Sequence, residues 1–69
     1  MEQTEIETRF TYHKPKEGQP EKYVILRDKA KDLAREFELQ CPESREKSLA
    51  VTNLEQAVMW ANAAIARRS

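Results

Sequence analysis

The chain of 69 residues has one cysteine, one glycine, three prolines and no long apolar run. One cysteine cannot form an internal disulfide framework, and such cysteine usage is typical of a reducing cytosol. No stretch of about 18 apolar residues exists, so no transmembrane helix is expected, and the acidic residues Met1–Glu5 disfavour a secretory signal. Lys and Arg total 12, as do Asp and Glu, so the positive surplus that long nucleic acids require is missing. We therefore expect neither a membrane nor a DNA or RNA polymer as a partner.

The residues that usually carry catalysis are scarce. There is one histidine and no glycine-rich phosphate loop, and no set of metal ligands converges at a regular spacing. We interpret His13 as a residue that packs or forms hydrogen bonds within a loop, with ligand contact as the alternative. Cys41 is interpreted as a small residue at the tip of a hairpin, with a reactive thiol as the alternative. The sequence predicts no catalytic residue, no metal site, no cofactor and no enzyme.

The composition that remains favours helices. A chain low in glycine and rich in Ala, Glu, Lys and Arg predicts an all-α fold. We predict one helical hairpin domain over residues 1–69, with a short N-terminal helix at 1–10 and a proline-containing loop at 11–19. Helix two is predicted at 20–41 and helix three at 44–68, so the last two helices form a long antiparallel αα-hairpin.

Local signals support these boundaries. Thr4 and Ser44 are residue types that cap helix N-termini, and Pro20 suits the first turn of helix two. Apolar residues recur every three or four positions in helices two and three, which predicts one buried stripe on each. These positions are Tyr23, Leu26, Ala30, Leu33, Phe37 and Cys41, then Ala50, Leu54, Ala57, Val58, Ala61, Ala64 and Ile65.

A hairpin of this size has a stability problem. Ordering each residue costs roughly 1.5 kcal/mol, and so short a chain has little interior to offset that cost. Met59 and Trp60 add apolar surface outside the hairpin stripe, and the alanines around Ala61 and Ala64 allow helices to approach closely. We therefore expect a homo-oligomer whose interface includes these four residues, with ligand stacking as the alternative role for Trp60.

An aromatic loop precedes a basic helix. Phe10, Thr11, Tyr12 and His13 are followed by basic residues that include Arg27 and Lys29. Aromatic rings offer stacking faces for bases, and Arg and Lys offer donors for phosphate. All six are therefore candidate contacts for a nucleotide ligand. From the residues alone the pattern is weak, because a charged helix face is usually just solvated.

Several stretches resemble the small phage anti-CBASS sponges, whose helical hairpin also resembles part of the Thoeris anti-defence sponges. The stretches are Arg9–Pro15, Gln19–Tyr23, Ser44–Ala50 and Trp60–Arg67. The resemblance implies a helical homohexamer that binds cyclic dinucleotides, such as cyclic GMP-AMP, without cleaving them. It also implies that the protein acts in the cytoplasm of the infected bacterial host, where it withholds the messenger from CBASS effectors.

The resemblance also implies roles for individual residues. Tyr12 corresponds to the aromatic that stacks on the bases, and Arg27 to the basic residue on the phosphates, with Lys29 as the substitute. Some members also take cyclic trinucleotides through an arginine near the end of the last helix, for which Arg67 and Arg68 are alternatives. The alternative function is an oligomeric helical protein that inhibits a protein partner and binds no small ligand.

Overall fold

The computed structural model describes all 69 residues and contains three α-helices and no strand. Helix α1 spans Gln3–Phe10, α2 spans Gln19–Gln40 and α3 spans Arg45–Arg68. Helices α2 and α3 pack against each other as an antiparallel hairpin, which confirms the predicted all-α class. None of the three helices is both long enough and apolar enough to cross a bilayer.

The helix ends match the sequence signals in one case and differ in another. Ser44 caps α3 as predicted, because its hydroxyl oxygen accepts a hydrogen bond from the Lys47 N–H at 3.1 Å. The prediction that Thr4 caps α1 was wrong. The carbonyl of Glu2 already accepts from the Ile6 N–H at 3.1 Å, so the helix begins earlier and Thr4 lies within it.

The connection into α2 turns at the single glycine. Gly18 has φ of 84°, a left-handed conformation that costs glycine little and strains other residues. Helix α2 starts directly after it at Gln19, one residue before Pro20. This turn places the Gln19 side chain against the far end of the chain.

Gln19 is the most buried residue of the protein, with 4% of its surface exposed. Its Oε1 accepts from the Lys16 N–H at 2.9 Å, and its Nε2 donates to the Ile65 carbonyl at 3.0 Å and the Ser69 hydroxyl at 3.3 Å. The Lys16 ammonium also donates to the Ser69 carbonyl oxygen at 2.6 Å. One side chain thus fastens the loop and the start of α2 to the last turn of α3.

The opposite end of the hairpin is held by a buried charge. Lys47 is 7% exposed, and its ammonium pairs with Glu38 at 2.9 Å and with Glu43. The carboxylates of Glu43 and Glu38 raise the pKa of Lys47, so the cation is retained. Cys41 is half-buried beside this group, with its backbone N–H bonded to the Phe37 carbonyl at 2.9 Å. Both ends of the hairpin are therefore set by polar contacts.

No hydrophobic residue is fully buried within one chain. The accessible surface is 5741 Å², whereas a compact monomer of 8.1 kDa exposes roughly 4,500 Å². The molecule is flat, with extents of 44 × 30 × 13 Å, and it leaves large apolar side chains such as Leu33, Met59 and Trp60 in contact with solvent. A surface of this kind is typical of a subunit rather than of a stable monomer.

The first prediction concerns the Gln19 contacts. Gln19→Ala leaves the Lys16 N–H without its acceptor, and it leaves the Ile65 carbonyl and the Ser69 hydroxyl without their donor. We therefore expect a loss of roughly 1–3 kcal/mol in the free energy of unfolding. Urea unfolding at a fixed protein concentration measures the loss. Gln56→Ala is the matched control, because Gln56 is an exposed glutamine within α3. Equal effects of the two substitutions would contradict this role for Gln19.

The second prediction concerns assembly. We expect a homo-oligomer at micromolar concentration, with Trp60 buried between chains because 68% of its surface is exposed within one. Sedimentation equilibrium gives the mass, and iodide quenching of the single tryptophan reports its burial. A mass near 8 kDa together with full quenching would contradict the prediction.

Candidate functional site

Two open clefts lie side by side where α1, the following loop and the last turns of α3 meet. The Tyr12 cleft has a volume of about 460 Å³. Its lining residues are Arg9, Thr11, Tyr12, His13, Tyr23, Asn62, Ala63, Ala66 and Arg67. This cleft gathers three of the predicted ligand residues, namely Thr11, Tyr12 and His13.

The Trp60 cleft lies on the other side of Arg9 and Arg67, which line both clefts, and its volume is about 450 Å³. Its lining residues are Arg9, Phe10, Trp60, Ala63, Ala64, Arg67 and Arg68. Phe10, predicted as a ligand residue, thus shares this cleft with Trp60 and Ala64, predicted as interface residues. Ala61 instead lines the groove between α2 and α3, and Met59 is exposed.

Both clefts present aromatic rings beside cations. Phe10 is 84% exposed and Tyr12 is 83% exposed, so neither ring is used for packing within the chain. The loop under Tyr12 is nevertheless fixed, because Nε2 of His13 lies 2.7 Å from the Thr8 carbonyl oxygen and donates to it. An exposed ring on an anchored loop can stack on a base with little loss of conformational freedom.

Asn62 brings an unpaired polar atom to the Tyr12 cleft. Its Oδ1 is buried and has no hydrogen-bond partner in the chain. A buried acceptor without a donor costs roughly 1–3 kcal/mol.

Two of the three arginines of the Trp60 cleft, Arg9 and Arg68, share one carboxylate. Glu5 of α1 accepts from Arg68 Nη1 at 3.2 Å and also from Arg68 Nη2, and it pairs with Arg9 Nε at 3.0 Å. The guanidinium of Arg68, and then that of Arg9, lower the pKa of Glu5 from 4.5 to about 2. Glu5 is therefore ionised at any physiological pH, and it fastens α1 to the end of α3.

The structure distinguishes Arg67 from Arg68. The guanidinium of Arg68 is engaged by Glu5, whereas the Arg67 guanidinium reaches only the Arg9 carbonyl oxygen, at 3.5 Å. Arg67 lines both clefts and Arg68 lines one. The two residues thus offer different contacts to an anion.

Arg27 and Lys29 do not line the Tyr12 cleft of the single chain. Arg27 is exposed, one helical turn beyond the cleft residue Tyr23, and it does not line the Tyr12 cleft. Lys29 borders the groove between α2 and α3, where Leu26, Leu33 and other apolar residues lie. One chain therefore does not unite the aromatic and basic residues that the sequence analysis grouped together.

Comparison with known families gives a clear result. The family model of the Acb2/Tad1 hairpin domain matches residues 2–66. The chain belongs to the Acb2/Tad1 hairpin family. This is the family of anti-CBASS and anti-Thoeris sponges, so the resemblance seen in the sequence is confirmed. Searches of curated proteins and of solved structures returned no match.

Sequence reasoning missed three residues of this Acb2/Tad1 hairpin. Gln19 and Asn62 were not singled out, because no sequence pattern marks a buried amide. Glu5 was not predicted to take part in the site, yet its main partner is Arg68, 63 positions away. The one signal that could have indicated this ion pair is the presence of arginines at the end of the chain and acidic residues at its start.

The third prediction concerns the pKa of Glu5. Arg68→Ala should raise this pKa from about 2 toward 4.5, whereas Arg67→Ala, the matched control, should leave it low. Carbon-detected NMR titration of the Glu5 carboxyl group measures the midpoint. Because the pKa is lowered on folding, its ion pairs stabilise the fold above about pH 4.5 and are lost as the pH falls toward 2. Equal midpoints in the two variants would contradict the assignment of Arg68 as the main partner.

Proposed function

We propose that the protein is a phage anti-defence sponge that binds cyclic dinucleotide messengers of CBASS immunity, such as cyclic GMP-AMP, and withholds them without cleavage. Membership of the Acb2/Tad1 family supports a sponge role. The observation that carries the ligand class is the exposed Tyr12 ring at a cleft that also holds Arg9 and Arg67. A cleft of about 460 Å³ is within the ordinary range for small-molecule sites.

The ligand pocket of this proposal is shared between subunits. Tyr12 supplies the stacking face and Arg27 the phosphate contact, with Lys29 as the substitute, although neither cation lines the Tyr12 cleft within one chain. Apolar residues around the α2–α3 groove, including Leu33 and Val58, remain open to a second chain. The resemblance to the sponges implies a homohexamer, and we propose one in which one chain brings its basic helix to the aromatic loop of another.

Retention without cleavage fits the chemistry of the cleft. Its side chains supply aromatic rings, guanidinium groups and an amide, all of which can form contacts with a nucleotide. The one imidazole, that of His13, uses its Nε2 to hold the Thr8 carbonyl. Arginine is always protonated and so does not act as a general base. The residues present support binding of the phosphodiester rather than attack on it.

A second site for cyclic trinucleotides is part of the proposal. The Trp60 cleft holds three arginines beside two exposed rings, those of Phe10 and Trp60. Arg67 is open to a phosphate there, and Arg68 becomes open when Glu5 leaves it. We assign the action of both sites to the cytoplasm of the infected host, where the messengers are made.

The fourth prediction tests the shared dinucleotide pocket. Removing a stacked aromatic or a charge-assisted phosphate contact costs roughly 1–3 kcal/mol each. When symmetry places two copies in one pocket, Tyr12→Ala or Arg27→Ala should weaken binding by several orders of magnitude. Arg27→Lys should keep part of the affinity, because the charge survives and the fork is lost. Calorimetric titration with cyclic GMP-AMP measures these changes.

Arg35→Ala is the matched control for Arg27→Ala. Arg35 is another exposed arginine of α2, and it pairs with Asp32 at 3.4 Å. Its removal should leave both affinity and sedimentation mass unchanged. Unchanged affinity in both test variants would place the pocket elsewhere. Failure of the wild-type protein to bind any cyclic nucleotide would favour the alternative, a helical inhibitor that docks on a protein through the apolar α2–α3 groove.

A further inference from the structure

We propose that Glu5 is an internal competitor for the arginines of the Trp60 cleft, so that a phosphate group that binds there has to displace it. The inference rests on the second site of the proposed function and adds a residue that controls its affinity. The Glu5 carboxylate, like a phosphodiester, presents two anionic oxygens that a guanidinium can hold with two parallel hydrogen bonds.

The geometry of Glu5 is that of an anion in a cationic site. Both terminal nitrogens of Arg68 donate to the two carboxylate oxygens, one of them at 3.2 Å, and Arg9 Nε donates at 3.0 Å. Two of the three arginines that line the cleft are therefore engaged by one carboxylate, whose single negative charge offsets one of their two positive charges. Arg67 keeps its charge open to the cleft, with only a 3.5 Å contact to a backbone carbonyl.

Displacement of Glu5 is physically accessible. About half of the Arg68 side chain and about a quarter of the Glu5 side chain are exposed, so water and ions reach the pair. Exposed ion pairs are weak because water and salt screen them, so a multivalent phosphate ligand can outcompete the carboxylate for the arginines. An anion can first bind Arg67 and then form hydrogen bonds with Arg68 and Arg9, as the Glu5 carboxylate moves off these two arginines.

The test compares Glu5→Gln with Glu7→Gln. Both substitutions remove one negative charge from α1, but Glu7 is exposed and forms no ion pair. Titration with cyclic triadenylate at low salt should show roughly threefold to tenfold tighter binding by Glu5→Gln than by wild type. Glu7→Gln should stay within about twofold of wild type, and the gain of Glu5→Gln should shrink at high salt, where surface charges are screened.

Melting of each protein without nucleotide separates competition from a structural role. If Glu5 both competes with the ligand and fastens α1, Glu5→Gln should have a lower melting temperature than wild type and should bind the trinucleotide more tightly. Lower stability with weaker or unchanged binding would show that the pair is only structural. Equal gains in the two variants would show a general charge effect, and either result would overturn the proposal.

Titration with cyclic GMP-AMP distinguishes failure of the competitor role of Glu5 from failure of the proposed sponge function. If wild type binds cyclic dinucleotide but Glu5→Gln binds triadenylate no better than Glu7→Gln, the competitor role alone is overturned. If wild type and Glu5→Gln bind neither nucleotide class, the sponge function and the competitor role both fail.

Discussion

The hydrogen bonds of the Gln19 side chain are the contact on which the rest of the molecule depends. Because no apolar residue is fully buried, packing alone does not set the position of the loop against the end of α3. The amide does so, since it bonds Lys16 on one side and Ile65 and Ser69 on the other. Both clefts lie beside this junction, so the same contact that holds the chain together also sets the distance between Tyr12 and Arg67.

The lack of a core links stability to association. A flat hairpin that exposes Leu33, Met59 and Trp60 gains apolar burial only when another surface covers them. The Trp60 cleft opens on part of this surface, since Trp60 both lines the cleft and belongs to the exposed apolar side chains. Any ligand that binds between two chains therefore stabilises the assembly as well, because binding favours the state that contains the site. In a molecule of this kind, folding, assembly and ligand binding are thermodynamically coupled.

More of the fold than of the candidate site could be predicted from the sequence. Helical periodicity, the cap at Ser44 and the scarcity of glycine are local signals, and they predicted the hairpin correctly. Thr4 failed as a cap because a residue type that suits a cap does not fix where the first backbone hydrogen bond forms. Arg67 and Arg68 could not be separated, because neighbours in a helix point about 100° apart and only the docking of α1 decides which one meets Glu5. The location of Arg27 outside the Tyr12 cleft likewise depends on tertiary structure.

The charge distribution explains how a chain with no net charge can suit an anionic ligand. Net charge governs long-range attraction, whereas affinity for a small anion depends on the few cations within hydrogen-bonding distance. Three arginines meet at one end of this molecule, and they lie at the C-terminus of α3, where the helix dipole already favours positive charge. Glu5 and the dipole together offset only part of that charge within the fold. The ion pairs with Glu5 hold the cluster together without a ligand. In the proposed competition, the net gain from an added phosphate depends on how readily Glu5 gives up its two arginines.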